Sequence, residues 1–113
     1  MTTPRNVLQY KDTTGALNWN VADHVSMRSA NETFFVASTY GTVNTAWPAF
    51  QHEIVLVRAD GTGYSRIAHH RHMQRVAGAW SLPRAVVSRD AKYVVFTSDH
   101  NTTQNDVYLV KLP

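Results

Sequence analysis

The six histidines are the side chains here best placed for chemistry near neutral pH, and three of them sit in the run His69-His70-Arg71-His72. A neutral imidazole is a metal ligand and a proton carrier. His70 and His72 are two residues apart, so in extended backbone both point the same way and could share a divalent ion, with His69, His24 or another histidine completing the set. Against this, a His-His-Arg-His run also suits a solvated polar loop, and Arg71 repels a nearby cation. The alternative ligand is an anion: Arg71, Arg75 and Arg84 offer planar forks that fit carboxylates or phosphates.

Other chemistry has little support. The two glutamates, Glu32 and Glu53, fall at strand starts, where solvated side chains are expected. Asp99 and Asp106 bracket a loop and read as turn and strand-end caps. Asp60-Gly61-Thr62-Gly63 is a hairpin turn rather than a phosphate loop, because no helical pattern follows it. There is no Gly-x-Ser-x-Gly elbow and no cysteine, which removes thiol nucleophiles, thiolate metal sites and disulfides. No catalytic residue is assigned. Trp47-Pro48-Ala49-Phe50 carries aromatics that fold back over a sheet or stack on a partner. Asn31-Glu32-Thr33 and Asn101-Thr102-Thr103 fit the glycosylation pattern, which matters only in a eukaryotic secretory route.

The elements that position these residues are strands. The 113 residues include fourteen Val and twelve Thr against six Leu, three Lys and two Glu, a balance that fits pleated surfaces better than helices. Charged residues are 17% of the chain and the net charge is +3, with the basic residues dispersed rather than clustered as nucleic-acid binding requires. No apolar run reaches the ~20 residues of a membrane helix. Residues 1–6 lack the apolar core of a signal peptide. Short apolar runs at 33–38, 53–58, 64–68, 84–88, 92–97 and 106–111 alternate with turns, and no window has a helical period. The expected class is all-β.

These runs repeat in order. A shift of 60 lays Arg28–Ser38 on Ser88–Ser98, and a shift of 53 lays Glu53–Val57 on Asp106–Val110. Trp19 and Trp80 precede the two units. Four-stranded units recurring every 40–60 residues or so signal antiparallel β-propeller blades. The stretch Trp80-Ser81-Leu82-Pro83, Ser88-Arg89-Asp90-Ala91-Lys92-Tyr93-Val94-Val95-Phe96-Thr97-Ser98-Asp99, Asp106-Val107-Tyr108-Leu109-Val110 resembles a repeat of the TolB-like β-propeller family. The resemblance covers 80–112 well, 20–68 more loosely and 1–19 poorly. Arg89 stands where that family has Pro and Ala91 where it has Gly, so a tight turn after Asp90 is expected to be less favourable. The resemblance implies fold far more than function, and it is compatible with a periplasmic or secreted location. Propeller-type oligogalacturonate lyases, which hold a divalent metal on histidines, are similar in outline, but their ligand motif is not matched.

The expected organisation is one partial propeller domain over 1–113, with blade one at 20–68, blade two at 80–113, and 1–19 giving strands of a preceding or closing blade. Blade one would run a at 24–28, b at 33–38, c at 53–58 and d at 64–68. Blade two would have a at 84–88, b at 92–97 and c at 106–111. Its outer strand could come from Val7–Lys11; alternatively Val7–Lys11 and Ala16–Trp19 belong to an earlier blade. About two blades make an incomplete propeller, completed by a longer chain or by self-association into a homo-oligomer. In this geometry the d-to-a and b-to-c loops share one face, which collects His52, His69, His70, Arg71, His72 and His100, with His24 and Arg84 beside it. The functional expectation is a non-catalytic binding or scaffolding module. Its His/Arg-rich face would meet a protein partner or an anionic small molecule or carbohydrate, and neither nucleic acid nor membrane. No cofactor is required. The alternative is a piece of a metal-dependent, polysaccharide-lyase-like enzyme acting on an acidic carbohydrate, with His69, His70 and His72 as ligands to a divalent metal.

Overall fold

The computed structural model describes residues 3–4, 6–12, 14–18, 21–41, 46, 48–73, 82–100 and 102–113. Trp19, Trp47, Arg75 and Trp80, named above, lie outside the described residues. The fold is all-β, with no helix among the described residues. The first sheet has four antiparallel strands in sequence order: β1 (Val21–Ser26), β2 (Phe34–Gly41), β3 (Glu53–Arg58) and β4 (Tyr64–His69). The second has three, β5 (Val86–Val87), β6 (Tyr93–Ser98) and β7 (Asp106–Lys111). β3 and β7 match the runs read from sequence. β1 begins three residues earlier than expected and β5 is only two residues long.

The two sheets pack face to face. Val36 and Ile54 of the first meet Val87, Val94 and Phe96 of the second, with Ala85 and Leu112 completing the buried cluster. Tyr108 and Val110 pack against it from β7. The Ser38 hydroxyl accepts a 2.7 Å hydrogen bond from the Ala85 amide, tying the entry of the second sheet to the middle of β2. The other face of the first sheet carries Ala37, Val55 and Val57, covered by Phe50 and by Val7, Leu8 and Tyr10. With both faces covered, β2 is buried without interruption from Val36 to Thr39.

That placement bears on the N-terminal segment. Lys11 bridges to Leu17, and the Asn18 amide donates to the Tyr10 carbonyl at 2.8 Å. The Tyr10 hydroxyl donates to Asp23 at 2.5 Å, and this bond together with burial raises its pKa. Val7–Lys11 thus lies on the far side of the first sheet, while among the described residues β7 is paired to β6 alone and forms the edge of its sheet.

Strand pairing corrects the repeat. Ser26 pairs with Val36, whereas Val86 pairs with Val95, so the turn between the first two strands is one residue shorter in the second unit. The shift for β2 onto β6 is therefore 59, not 60. It then agrees with the shift of 53 between β3 and β7, since Phe35↔Val57 becomes Val94↔Val110 and Ala37↔Val55 becomes Phe96↔Tyr108. Matching hydrogen bonds fix this register. Asn31 Oδ1 accepts from the Thr33 amide at 3.0 Å, and Asp90 Oδ1 from the Lys92 amide at 3.2 Å. A one-residue error matters because it turns every side chain to the opposite face.

The shorter turn has a backbone cost. Ala91 sits at φ 59°, in the left-handed region, so the turn forms despite lacking the glycine that suits it. By contrast, the turn after β3 places Gly61 at φ 73° and closes with Asp60, whose Oδ1 accepts from the Thr62 amide and hydroxyl at 2.9 and 2.6 Å. These local bonds, and the Arg58 guanidinium, hold the Asp60 carboxyl well below the usual carboxylate range.

Candidate functional site

The loops after β2, β4 and β6 come together, as the strand order requires, and bring four of the expected histidines into one cluster. The His70 amide donates to the His52 carbonyl at 2.9 Å, extending the β3–β4 ladder by one bond. The His52 and His70 rings then meet edge to face at 5.5 Å, with His72 and His69 each within 6.4 Å of His70. His100 instead lies over Tyr108, 6.0 Å between rings. His24 is half-buried in β1, opposite Ser38, and Arg84 is exposed just before β5.

Burial corrects the expectation of a solvated histidine loop. His52, His70 and His72 are at most 1% exposed. His70 is a tie between the two sheets. Its Nε2 lies 2.7 Å from the Thr39 carbonyl of β2, its Nδ1 accepts from the His72 amide at 3.1 Å, and its own carbonyl accepts from the Ser98 hydroxyl of β6 at 2.6 Å. A carbonyl on one nitrogen and an amide on the other leave one arrangement: the proton is on Nε2 and the ring is neutral. Protonation at Nδ1 would set N–H against N–H. Burial lowers the pKa of this ring to about 3, against a smaller upward pull from the Thr39 carbonyl. Burial also lowers His69, and lowers His72 despite the opposing pull of Asp99.

Asp99 joins this cluster. It is fully buried, accepts from the Met73 amide at 2.7 Å, and lies 3.3 Å from His72 Nδ1. As sequence it looked like a loop cap; its place directly after Ser98, which binds His70, is the signal that could have linked it to the histidines. Glu53 also departs from expectation. It is 2% exposed, not solvated, and its carboxylate is gripped by two nitrogens of Arg66, with Arg66 Nε at 2.7 Å from Oε2. The same Oε2 accepts from the Phe50 amide at 3.2 Å, and the Arg66 guanidinium covers the Phe50 ring at 5.8 Å. Glu53 is therefore an internal brace for the loop after β2.

In the loops around and within this layer the backbone is strained. Phe50, His52, Arg71 and His100 have φ values of 63°, 57°, 51° and 40°, a region non-glycine residues rarely enter and that costs each about 1 kcal/mol or more. All four lie in the loops of the histidine side. Arg71 and His100 are exposed there, while Phe50 and His52 are buried. Arg71 and His100 thus present a cation and a hydrogen-bonding ring to solvent from a braced support.

For a metal the geometry is less suited. His70 would have to give up the His72 amide to offer its Nδ1 as a ligand, and no set of three or more His, Cys, Asp or Glu side chains among the described residues is arranged to hold an ion. A cavity of about 520 Å³ opens on another side, between Asn6–Gln9, Lys11, Phe50 and Gly61–Tyr64. It contains none of the histidines. No protein-family model matches this chain, and no curated protein or solved structure matches it either.

Proposed function

We propose that the chain is a non-catalytic binding or scaffolding module made of two β-propeller-type sheets, whose histidine-side loops meet an anionic ligand or an acidic patch on a protein partner. The observation that carries this reading is that Arg71 and His100, exposed and at strained φ, directly adjoin along the chain the buried residues His70, His72 and Asp99. Strain of this kind persists only where the surroundings hold it, and preorganised loops lose less entropy on binding. The four-stranded meander and the TolB-like repeat at 80–112 support the propeller reading. Catalysis gains nothing from the buried groups. His70 is locked neutral, and Glu53 is committed to Arg66 and Phe50.

The test is titration with an oligogalacturonate, a flexible polyanion, followed by backbone amide shifts. Shifts should concentrate at residues 70–73 and 98–100, and Arg71→Ala should weaken binding by about tenfold, the loss of one charge-assisted contact. Binding elsewhere, or binding indifferent to Arg71, would overturn the proposal. The alternative, a divalent-metal enzyme acting on an acidic carbohydrate, predicts Zn²⁺ or Ca²⁺ uptake that His70→Ala and His72→Ala abolish. It would be favoured only by that result together with loss of activity.

A further inference from the structure

The cavity of about 520 Å³ away from the histidines has walls that stand without a ligand. One wall is the extended segment 6–11, which lies over the first sheet, and the other is the turn between β3 and β4 with Tyr64. The turn is fixed by its own bonds. Asp60 accepts from the Thr62 amide and hydroxyl, Arg58 Nε donates to Thr62 Oγ1 at 2.7 Å, and the Arg58 amide donates to the Gly63 carbonyl at 2.9 Å. The segment is anchored at Tyr10, by Asp23 and by the Asn18 amide. At Gly61 the two walls nearly meet, since an added Cβ would lie 3.7 Å from Val7 Cγ1. The volume lies within the ~300–1,000 Å³ usual for small-molecule sites.

The lining sets the ligand class. The side chains of Asn6, Gln9 and Lys11 line the cavity and make no hydrogen bond or ion pair with any described residue, whereas the Thr62 hydroxyl is already committed. Two carboxamides supply donors and acceptors together, and Lys11 adds donors. Tyr64 is 50% exposed and packs on Phe50 at 5.2 Å between ring centres, so part of its surface stays open at the cavity. An open aromatic surface beside carboxamides matches a ring with an apolar face and hydroxyls around its rim. An anion fits less well. Lys11 is the one cation among the described lining residues, and the Asp60 carboxylate, held in its ionised form, stands in the same turn. We infer that this cavity binds a neutral monosaccharide or disaccharide, stacked on Tyr64 and hydrogen-bonded by Asn6, Gln9 and Lys11. Such a ligand ties the segment to the turn, so binding and ordering of residues 6–11 are coupled. The inference is independent of the anion proposed for the histidine side, because the two sites share no residue.

Backbone amide shifts of the full chain, titrated with glucose, galactose, N-acetylglucosamine and maltose to about 50 mM, test it. At least one of these sugars should give saturable shifts at residues 6–11 and 61–64 and slow amide exchange at Asn18, whose amide bonds to Tyr10. Tyr64→Ser should weaken binding about tenfold and Gln9→Ala about fivefold, the losses of a ring platform and of one neutral hydrogen bond. Gln9 is exposed, so Gln9→Ala keeps the fold and decides the matter alone if Tyr64→Ser does not. Glucuronate, the glucose ring with a carboxylate, should bind here no better than glucose. No saturable shift with any of the sugars, shifts that bypass residues 6–11 and 61–64, binding unchanged in Gln9→Ala, or a preference for glucuronate at this cavity would each overturn the inference.

Discussion

Ile54 and Val107 occupy the same place in the two repeat units, yet one is fully buried and the other is 71% exposed. Both are β-branched, both lie early in the third strand of their sheet, and both point to the equivalent face. What differs is the neighbour: the face that holds Ile54 packs against the second sheet, while the face that holds Val107 is exposed. Burial in this molecule is set by stacking order, and composition alone does not report it. The same contrast orders the energetics. Removing side-chain volume between the sheets leaves a cavity, while removing it from the bare face leaves only water in place of a methyl group.

The largest expected effect follows from that pair. Ile54→Ala should destabilise the chain by about 3–4 kcal/mol, and Val107→Ala by about 0.5 kcal/mol or less at low protein concentration. Urea unfolding followed by tryptophan fluorescence measures both. Equal losses would mean that the outer face of the second sheet is covered in solution.

How much of this was legible beforehand varies by element. β3 and β7 were, because Glu53–Arg58 and Asp106–Lys111 each hold four consecutive apolar residues, rich in Val, Ile and Tyr, between charged ends. The extent of β1 was not. Val21–His24 mixes charge and small residues, and its pairing with Ser38–Gly41 is decided by β2. The repeat was visible but misregistered by one residue, since similarity in the runs outweighed the Ser-x-Asn and Ser-x-Asp turns that set the register. Loop order brought His52, His69, His70 and His72 together, whereas His100 lies over Tyr108 and His24 within β1. Burial within that cluster was not legible, because the partners that satisfy His70, the Thr39 carbonyl and the His72 amide, are backbone atoms that no residue type announces. Glu53 was misread for the same reason: Arg66 lies thirteen residues away, across a strand pair.

The two sheets also differ in how they meet acid, because the histidines tie them together at one end only. His70 has its pKa lowered by burial to about 3 in the folded chain, against about 6.5 when unfolded. The unfolded chain therefore binds the extra proton first as pH falls. The stability contributed by neutral His70 is complete above about pH 6.5 and declines below it, down to about pH 3. At pH 5.5 the loss is ~1.4 kcal/mol from His70 alone, and His69 and His72, also lowered, act in the same direction. Thermal melts between pH 7.5 and 5.0 should show this fall, and amide exchange should rise first around residues 70–73 and 98–100. His70→Gln should flatten the pH dependence even though it lowers stability at neutral pH. An unchanged slope in that variant would place the sensitivity in other groups.

The smallest effect concerns the turns that set the repeat register, and it has the opposite sign. The first unit spans the gap from β1 to β2 without a positive-φ residue, using one residue more than the second. The second unit makes the shorter connection only by holding Ala91 at φ 59°. The Ser88 hydroxyl donates to Asp90 at 2.6 Å and accepts from the Tyr93 amide at 3.0 Å, bonds that outweigh the strain. Ala91→Gly removes the Cβ that makes this conformation costly, but it also loosens the unfolded chain, so the net gain should be about 0.5–1 kcal/mol. Gly61→Ala, at φ 73° in the turn between β3 and β4, should lose a similar amount, since an added Cβ would meet Val7 only at ordinary contact distance and the backbone bears the cost. Denaturant midpoints moving in opposite directions for these two variants would establish that the one-residue difference between the units is held by local turn bonds against backbone preference. If Ala91→Gly lowered stability instead, the turn would be limited by chain entropy, and the register of the second sheet would have to be held by its packing on Val36 and Ile54.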